Sequence, residues 1–283
     1  MKENTPLRSG NYEESFYKTA STEECVRNIQ RKFFRYRLVL TAELACILLI
    51  AANFVLQWHW PVALVVLFFV LAAVGFMFLR GCKVILYQLP EGILYTDCEA
   101  EKYVALLQLL SENAKKQQKL MIDIQLCSAL YAAGRYEEAG AVLERIEPKI
   151  RSGMATFVID LHAKLDAAAE DYSRYPEYIS RLKKMYEQYK NNDRAVAQII
   201  GTLDSVEFYQ NLHEGKLDAC RKTLAIWNSV AENNYQKVYT SFLLGKVLYG
   251  VDNRAAEEHF KFAIQNGGTT IQAVLAAEYL KTL

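Results

Sequence analysis

Six cysteines, four histidines and several carboxylate pairs are the side chains of this sequence with types suited to chemistry. A zinc or redox site needs them at short fixed spacings. Cys25, Cys46, Cys82, Cys98, Cys127 and Cys220 contain no Cys-x-x-Cys pair. His59, His162, His213 and His259 are scattered, and the His213-Glu214-Gly215 stretch lacks the second histidine of a zinc helix. No Gly-x-x-x-x-Gly-Lys-Ser/Thr loop, Gly-x-Gly-x-x-Gly turn or Gly-x-Ser-x-Gly elbow occurs. Glu137-Glu138 and Glu257-Glu258 fall where helix exteriors are expected, so they read as solvated faces. Cys98 stands between Asp97 and Glu99, a setting that raises a thiol pKa and discourages nucleophilic use. The expectation is a protein with no enzymatic activity, no cofactor and no metal site. Its cysteines are expected to be unpaired thiols in a reducing compartment.

The positioning elements follow from composition and period. The chain has 283 residues and a formal charge of +1, which argues against nucleic acid as a partner. Hydrophobic residues make up 52%, concentrated rather than spread, while 13 glycines and 5 prolines disfavour a turn-rich β fold. Two runs stand out, Leu38 to Leu56 and Val62 to Leu79, joined only by Gln57-Trp58-His59-Trp60-Pro61. At about 1.5 Å per residue each approaches the ~30 Å hydrocarbon core, and so short a link predicts an antiparallel transmembrane hairpin. Trp58 and Trp60 suit the interface, and Pro61 suits a helix start.

Basic residues set the direction. Arg27, Arg31, Lys32, Arg35 and Arg37 precede the first run, Arg80 and Lys83 follow the second, and the link carries none. The positive-inside rule then puts both termini in the cytoplasm, in an integral two-span protein of a plasma membrane, the bacterial one by expectation. Glu43, the one acid inside a run, is either an intramembrane relay or interhelical contact, or reaches back to Arg35 or Arg37. Asn53 and Gly75 are candidates for helix packing. Residues 1–20 read as a flexible tail. Ser21-Thr22-Glu23-Glu24 then has capping-box spacing, predicting a juxtamembrane helix over 21–37. Arg27, Arg31 and Arg35 share one face of it, which suits the anionic lipid surface of the bilayer.

Residues 80–98 read as a linker and 99–283 as an all-helical module. Apolar residues there follow a helical period, with Leu106, Leu107, Leu109 and Leu110 in one helix and Met121 to Tyr131 in the next. A pattern recurs: Gly134, Tyr136, Ala139, Leu143, Ile146; then Gly215, Leu217, Cys220, Leu224, Trp227; then Asn253, Ala256, Phe260, Ala263. A small residue lets a partner helix approach, and large ones beside it fill the groove. Tyr178, Leu182 and Met185 fit a weaker copy, giving a period of about 36–42 residues. The final helix, after Gly267-Gly268, is expected to cap the stack.

The stretch Ala129 to Pro148, with Ala129, Gly134, Tyr136 and Ala139 at signature positions, resembles the tetratricopeptide repeat family. The other copies are degenerate and the period exceeds that family's 34. The resemblance implies a solenoid whose concave face, lined by first helices, binds a peptide or protein. By the same resemblance that face includes Met121, Ile124, Ser128 and Tyr131. The expectation is therefore an all-α chain, a transmembrane hairpin followed by a tetratricopeptide-like solenoid, acting as a membrane-anchored scaffold for a protein or peptide partner. The competing expectation is an integral subunit of a membrane transport or secretion complex.

Overall fold

The computed structural model describes residues 14–56, 62, 65–76, 90–112, 114, 116–150 and 152–283. Among these every regular element is a helix. The chain divides into two compact units, residues 1–92 and 93–283.

The first unit contains α1 (Glu14–Thr19), α2 (Thr22–Leu56) and the helical residues 65–76, here α3. The expected capping box is present: the Ser21 amide donates to Glu24 and the Glu24 amide donates to the Ser21 hydroxyl, at 3.0 and 3.2 Å. From that start α2 runs 35 residues without a break, so the juxtamembrane helix and the first apolar run are one element. The flexible tail is corrected in part. Residues 14–19 are helical, and Tyr17 is fully buried with the Lys32 ammonium 5.9 Å from its ring centre. Large apolar side chains from Leu38 to Phe76 stand exposed; Leu48, Val62 and Phe76 are 65–78% accessible. Among the described residues no helix is long and apolar enough to cross a membrane. Residues 1–13, the link with Trp58, His59, Trp60 and Pro61, and the stretch with Arg80, Cys82 and Lys83 lie outside the described residues.

The second unit begins earlier than residue 99. Helix α4 (Glu91–Tyr95) straddles the boundary, and Ile93, Leu94 and Cys98 are buried in the solenoid's core rather than strung along a linker. Ten helices follow: α5 (Ala100–Glu112), α6 (Lys116–Ala132), α7 (Tyr136–Ile146), α8 (Ala155–Ala168), α9 (Tyr175–Tyr189), α10 (Asp193–His213), α11 (Leu217–Ser229), α12 (Asn234–Leu248), α13 (Asn253–Asn266) and α14 (Ile271–Leu280).

These helices pair as hairpins, and a left-handed residue makes each internal turn. Gly134, Gly215 and Gly250 have φ of 78°, 71° and 76°, and Glu170 takes the same conformation at 57°. Glycine is the usual occupant because a Cβ clashes there. Three of the turns close identically, with an amide donating to a carbonyl five residues back: Arg135 to Leu130, Asp171 to Asp166, Lys216 to Asn211. Five residues past each left-handed position stand Ala139, Tyr175 and Cys220, all buried. Each is tied to the residue twelve positions before it: Cys127 Sγ donates to Ala139 O, the Tyr175 hydroxyl to Ala163 O, and Cys220 Sγ to Phe208 O. So α8–α9 is a true copy, but its register is Tyr175, Ile179, Leu182, three residues earlier than Tyr178, Leu182, Met185. A salt bridge fastens that hairpin. Buried Asp166 accepts from both Arg174 Nε and Nη2 and from the Tyr178 hydroxyl at 2.8 Å.

The end of the chain returns to the unit's beginning. Thr269 N donates to Cys98 O at 3.1 Å, and the Glu101 amide donates to the Thr269 hydroxyl at 3.3 Å. The Asn234 amide group donates to Cys98 Sγ at 3.4 Å. The Ile271 side chain lies so close to Gly134 that an added Cβ would come within 2.7 Å of it. Helix α14 packs on α13 and α12 as a cap should. Through Ile271 it also meets the first hairpin at Gly134, so the two ends of the unit touch.

Candidate functional site

The concave face holds a pocket of about 610 Å³. Its wall comes from α4, from the first helices α6, α8, α10 and α12, and from the end of α11. Side chains one turn apart on a helix share a face. That rule aims Ser128 and Tyr131 inward from α6, Asp160 and Lys164 from α8, and Tyr235 and Tyr239 from α12. The start of α12 is set by a reciprocal cap: the Asn233 side chain accepts from the Gln236 amide, and Gln236 Oε1 accepts from the Asn233 amide.

Six aromatic rings line the pocket: Tyr95, Tyr131, Phe157, Trp227, Tyr235 and Tyr239. Tyr95 meets Tyr235 edge-on at 6.0 Å, and Tyr235 lies 6.2 Å from Tyr239. The hydroxyls of Tyr209 and Tyr239 are hydrogen-bonded to each other, and Tyr131 lies close enough to influence the pKa of both. Burial pushes the phenol pKa values of all three, and of Tyr235, well up; neighbouring tyrosines and Asp160 add to the shift. The rings of Tyr131, Tyr235 and Tyr239 are partly buried and line the pocket. These groups are therefore neutral donors and acceptors, not bases. The wall carries two charged groups, Asp160 and Lys164, joined at 2.7 Å. Lys164 Nζ also sits 5.9 Å from the Tyr239 ring centre.

Of the binding residues expected from sequence, Ser128 and Tyr131 lie on this wall. Ile124 does not; it is buried with Cys127, Leu143 and Ile146, because its face of α6 meets α7 and α8. Met121 is half exposed and off the wall. The repeat positions are structural. Ala139, Cys220, Ala256, Phe260 and Ala263 are fully buried, Gly134 and Gly215 make turns, and the Tyr136 ring packs 5.6 Å from Tyr131. Arg27, Arg31, Arg35 and Arg37 are exposed along α2. Tyr95, Asp160, Lys164, Tyr235 and Tyr239 went unnoticed in the sequence, and Trp227 was read only as a repeat position. The inward pairs at four-residue spacing were the available signal, but nothing said which helix face turned inward.

Burial pushes the thiols of Cys98 and Cys127 up to about 12, with Asp97 and Glu99 only minor contributors at Cys98. Among the described residues no three histidine, cysteine, aspartate or glutamate side chains gather to hold a metal ion. No protein-family model, curated protein or solved structure matches the chain.

Proposed function

We propose that this chain is a membrane-anchored adaptor of tetratricopeptide type. Residues 38–56 and 62–79 form the anchor, both termini face the cytoplasm, and the solenoid takes a segment of a protein partner into its inner pocket. The pocket carries this reading. Its volume lies in the ~300–1,000 Å³ range typical of ligand clefts, and its wall combines six aromatic rings with nine polar side chains. That space suits a few residues of a partner rather than a long extended peptide. The anchor is supported by the exposed apolar side chains between Leu38 and Phe76, more than a water-facing surface usually tolerates. Exposed Arg27, Arg31, Arg35 and Arg37 fit attraction to anionic headgroups of about 1 kcal/mol per residue. Anchoring raises the partner's effective concentration at the bilayer.

Two measurements test the reading. A photo-crosslinking residue replacing Gly201, on the pocket wall with open space around it, should capture a specific protein in living cells. Adding Ser128→Arg, which puts a long cationic side chain into the pocket, should abolish that capture while the melting temperature holds; unchanged capture refutes the pocket as the site. For topology, a membrane-impermeant thiol reagent should label His59→Cys in intact cells. Asp218→Cys, whose side chain is 92% exposed, should react only after permeabilisation. Cys220 cannot report topology because it is fully buried.

One observation favours the subunit alternative. Glu43 Oε1 is buried without a hydrogen-bond partner, against Gly75, where an added Cβ would collide with the carboxylate. An unpartnered carboxylate inside an apolar hairpin would suit a cationic or hydroxyl group from another membrane chain. Mild detergent extraction separates the readings: a monodisperse monomer supports the anchor, and a stable hetero-complex that Glu43→Gln dissolves supports the subunit.

A further inference from the structure

We infer that the pocket recognises a cationic side chain, a lysine of the partner's segment, held between Asp160 and the tyrosine wall in the place now taken by Lys164. The inference rests on the adaptor reading and specifies its chemistry.

Among the described residues, Asp160 is the one anionic group on the wall. Six aromatic rings line the same pocket, and one of them, Tyr239, already has an ammonium over its negative π face. The chain already demonstrates the fit with its own residue. Lys164 places an ammonium 2.7 Å from Asp160 Oδ2 and 5.9 Å from the Tyr239 ring centre. Both partners of that pair are a quarter exposed and one helical turn apart, so the carboxylate keeps an open side that a second ammonium can reach. A partner lysine entering from the opposite side would meet the same carboxylate, and Lys164 would swing to water.

An anionic ligand fits less well. It would have Lys164 for a counter-ion but would face Asp160 across one helical turn. The tyrosine hydroxyls do not make up the deficit. Tyr209 and Tyr239 bond one another, so one of their two protons is already used, while their oxygen lone pairs can still accept from an ammonium. The remaining wall groups, Ser128, Thr202, Ser205 and Thr240 among them, are neutral and can serve a peptide backbone of either charge.

The test uses the full chain in detergent micelles and calorimetric titration with capped alanine pentapeptides whose central residue is lysine, norleucine or glutamate. The lysine peptide should bind about tenfold more tightly than the norleucine peptide. Asp160→Asn should erase that preference. Lys164→Met removes the tethered competitor and should tighten the lysine peptide severalfold; both substitutions nearly conserve volume. Equal binding of lysine and norleucine peptides overturns the inference, leaving an apolar pocket. A glutamate preference that Lys164→Met weakens overturns it in favour of an anion site. Absence of lysine-peptide binding to wild type and Lys164→Met alike also overturns it. If the lysine preference fails while the Ser128→Arg-sensitive crosslink persists, only the cation is wrong; loss of the crosslink removes the adaptor reading itself.

Discussion

Gly140 and Gly245 offer a controlled comparison of helix propensity against packing. Both lie within helices, α7 and α12. Replacing a mid-helix glycine with alanine gains about 0.8–1 kcal/mol in propensity. At Gly140 the added Cβ meets nothing within 4 Å, so the full gain should appear. At Gly245 the Cβ would lie 2.5–2.9 Å from three ring atoms of Phe260, which is fully buried and flanked by Phe242 and Tyr279. The Tyr279 ring stacks on Phe260 at 5.2 Å, so the ring cannot retreat without moving α14. Overpacking of this kind costs about 1–3 kcal/mol, which equals or exceeds the propensity gain. Gly140→Ala should therefore raise the melting temperature and Gly245→Ala should leave it level or lower it. The two should differ by about 1–3 kcal/mol, and each kcal/mol corresponds to about 2–4 °C in a unit of this size. Thermal melts followed by circular dichroism read this directly. Adding Phe260→Leu to Gly245→Ala should recover less in sum than the single costs predict, because the pair share one contact. A Gly245→Ala protein stabilised as much as Gly140→Ala would refute the α12–α13 packing described here.

The left-handed turns make opposite predictions. Gly134→Ala meets both a positive φ and the Ile271 side chain and should lower the melting temperature, by about 1–3 kcal/mol in equilibrium unfolding. Glu170→Gly relieves an αL strain of about 1–2 kcal/mol, against an entropy cost of about 0.4–1, and should be neutral to mildly stabilising. Ala139→Leu, at a fully buried contact, should cost about 1–3 kcal/mol in the same melts. At pH 8 the thiols of Cys98 and Cys127, pushed up to about 12 from an ordinary 9.0, should alkylate about a thousandfold more slowly than a free cysteine. Pulse labelling read by mass spectrometry checks this; fast labelling of either thiol in the folded protein would contradict its burial.

Local periodicity carried the all-helical class, because a 3.6-residue apolar repeat is a property of neighbours in the chain. The Ser21-x-x-Glu24 cap and the glycines at 134 and 215 were equally legible, since a capping box or a positive φ has a direct residue preference. The α8–α9 copy was misregistered because Glu170 stands where glycine usually marks the turn and Tyr175 where a small residue usually packs. Backbone bonding to Asp166 and the Tyr175 hydroxyl's bond to Ala163 hold that turn, and neither is a composition signal. The pocket was least legible of all. It depends on residues far apart in sequence: Thr269 reaching Cys98, Asn234 reaching Cys98, Ile271 lying against Gly134. A helical period states that a helix has an apolar face, but the tertiary packing decides whether that face meets another helix, as Ile124 does, or the pocket, as Tyr131 does. The elements were determined locally by the sequence, and the site exists only where the tertiary structure brings the two ends of the solenoid together.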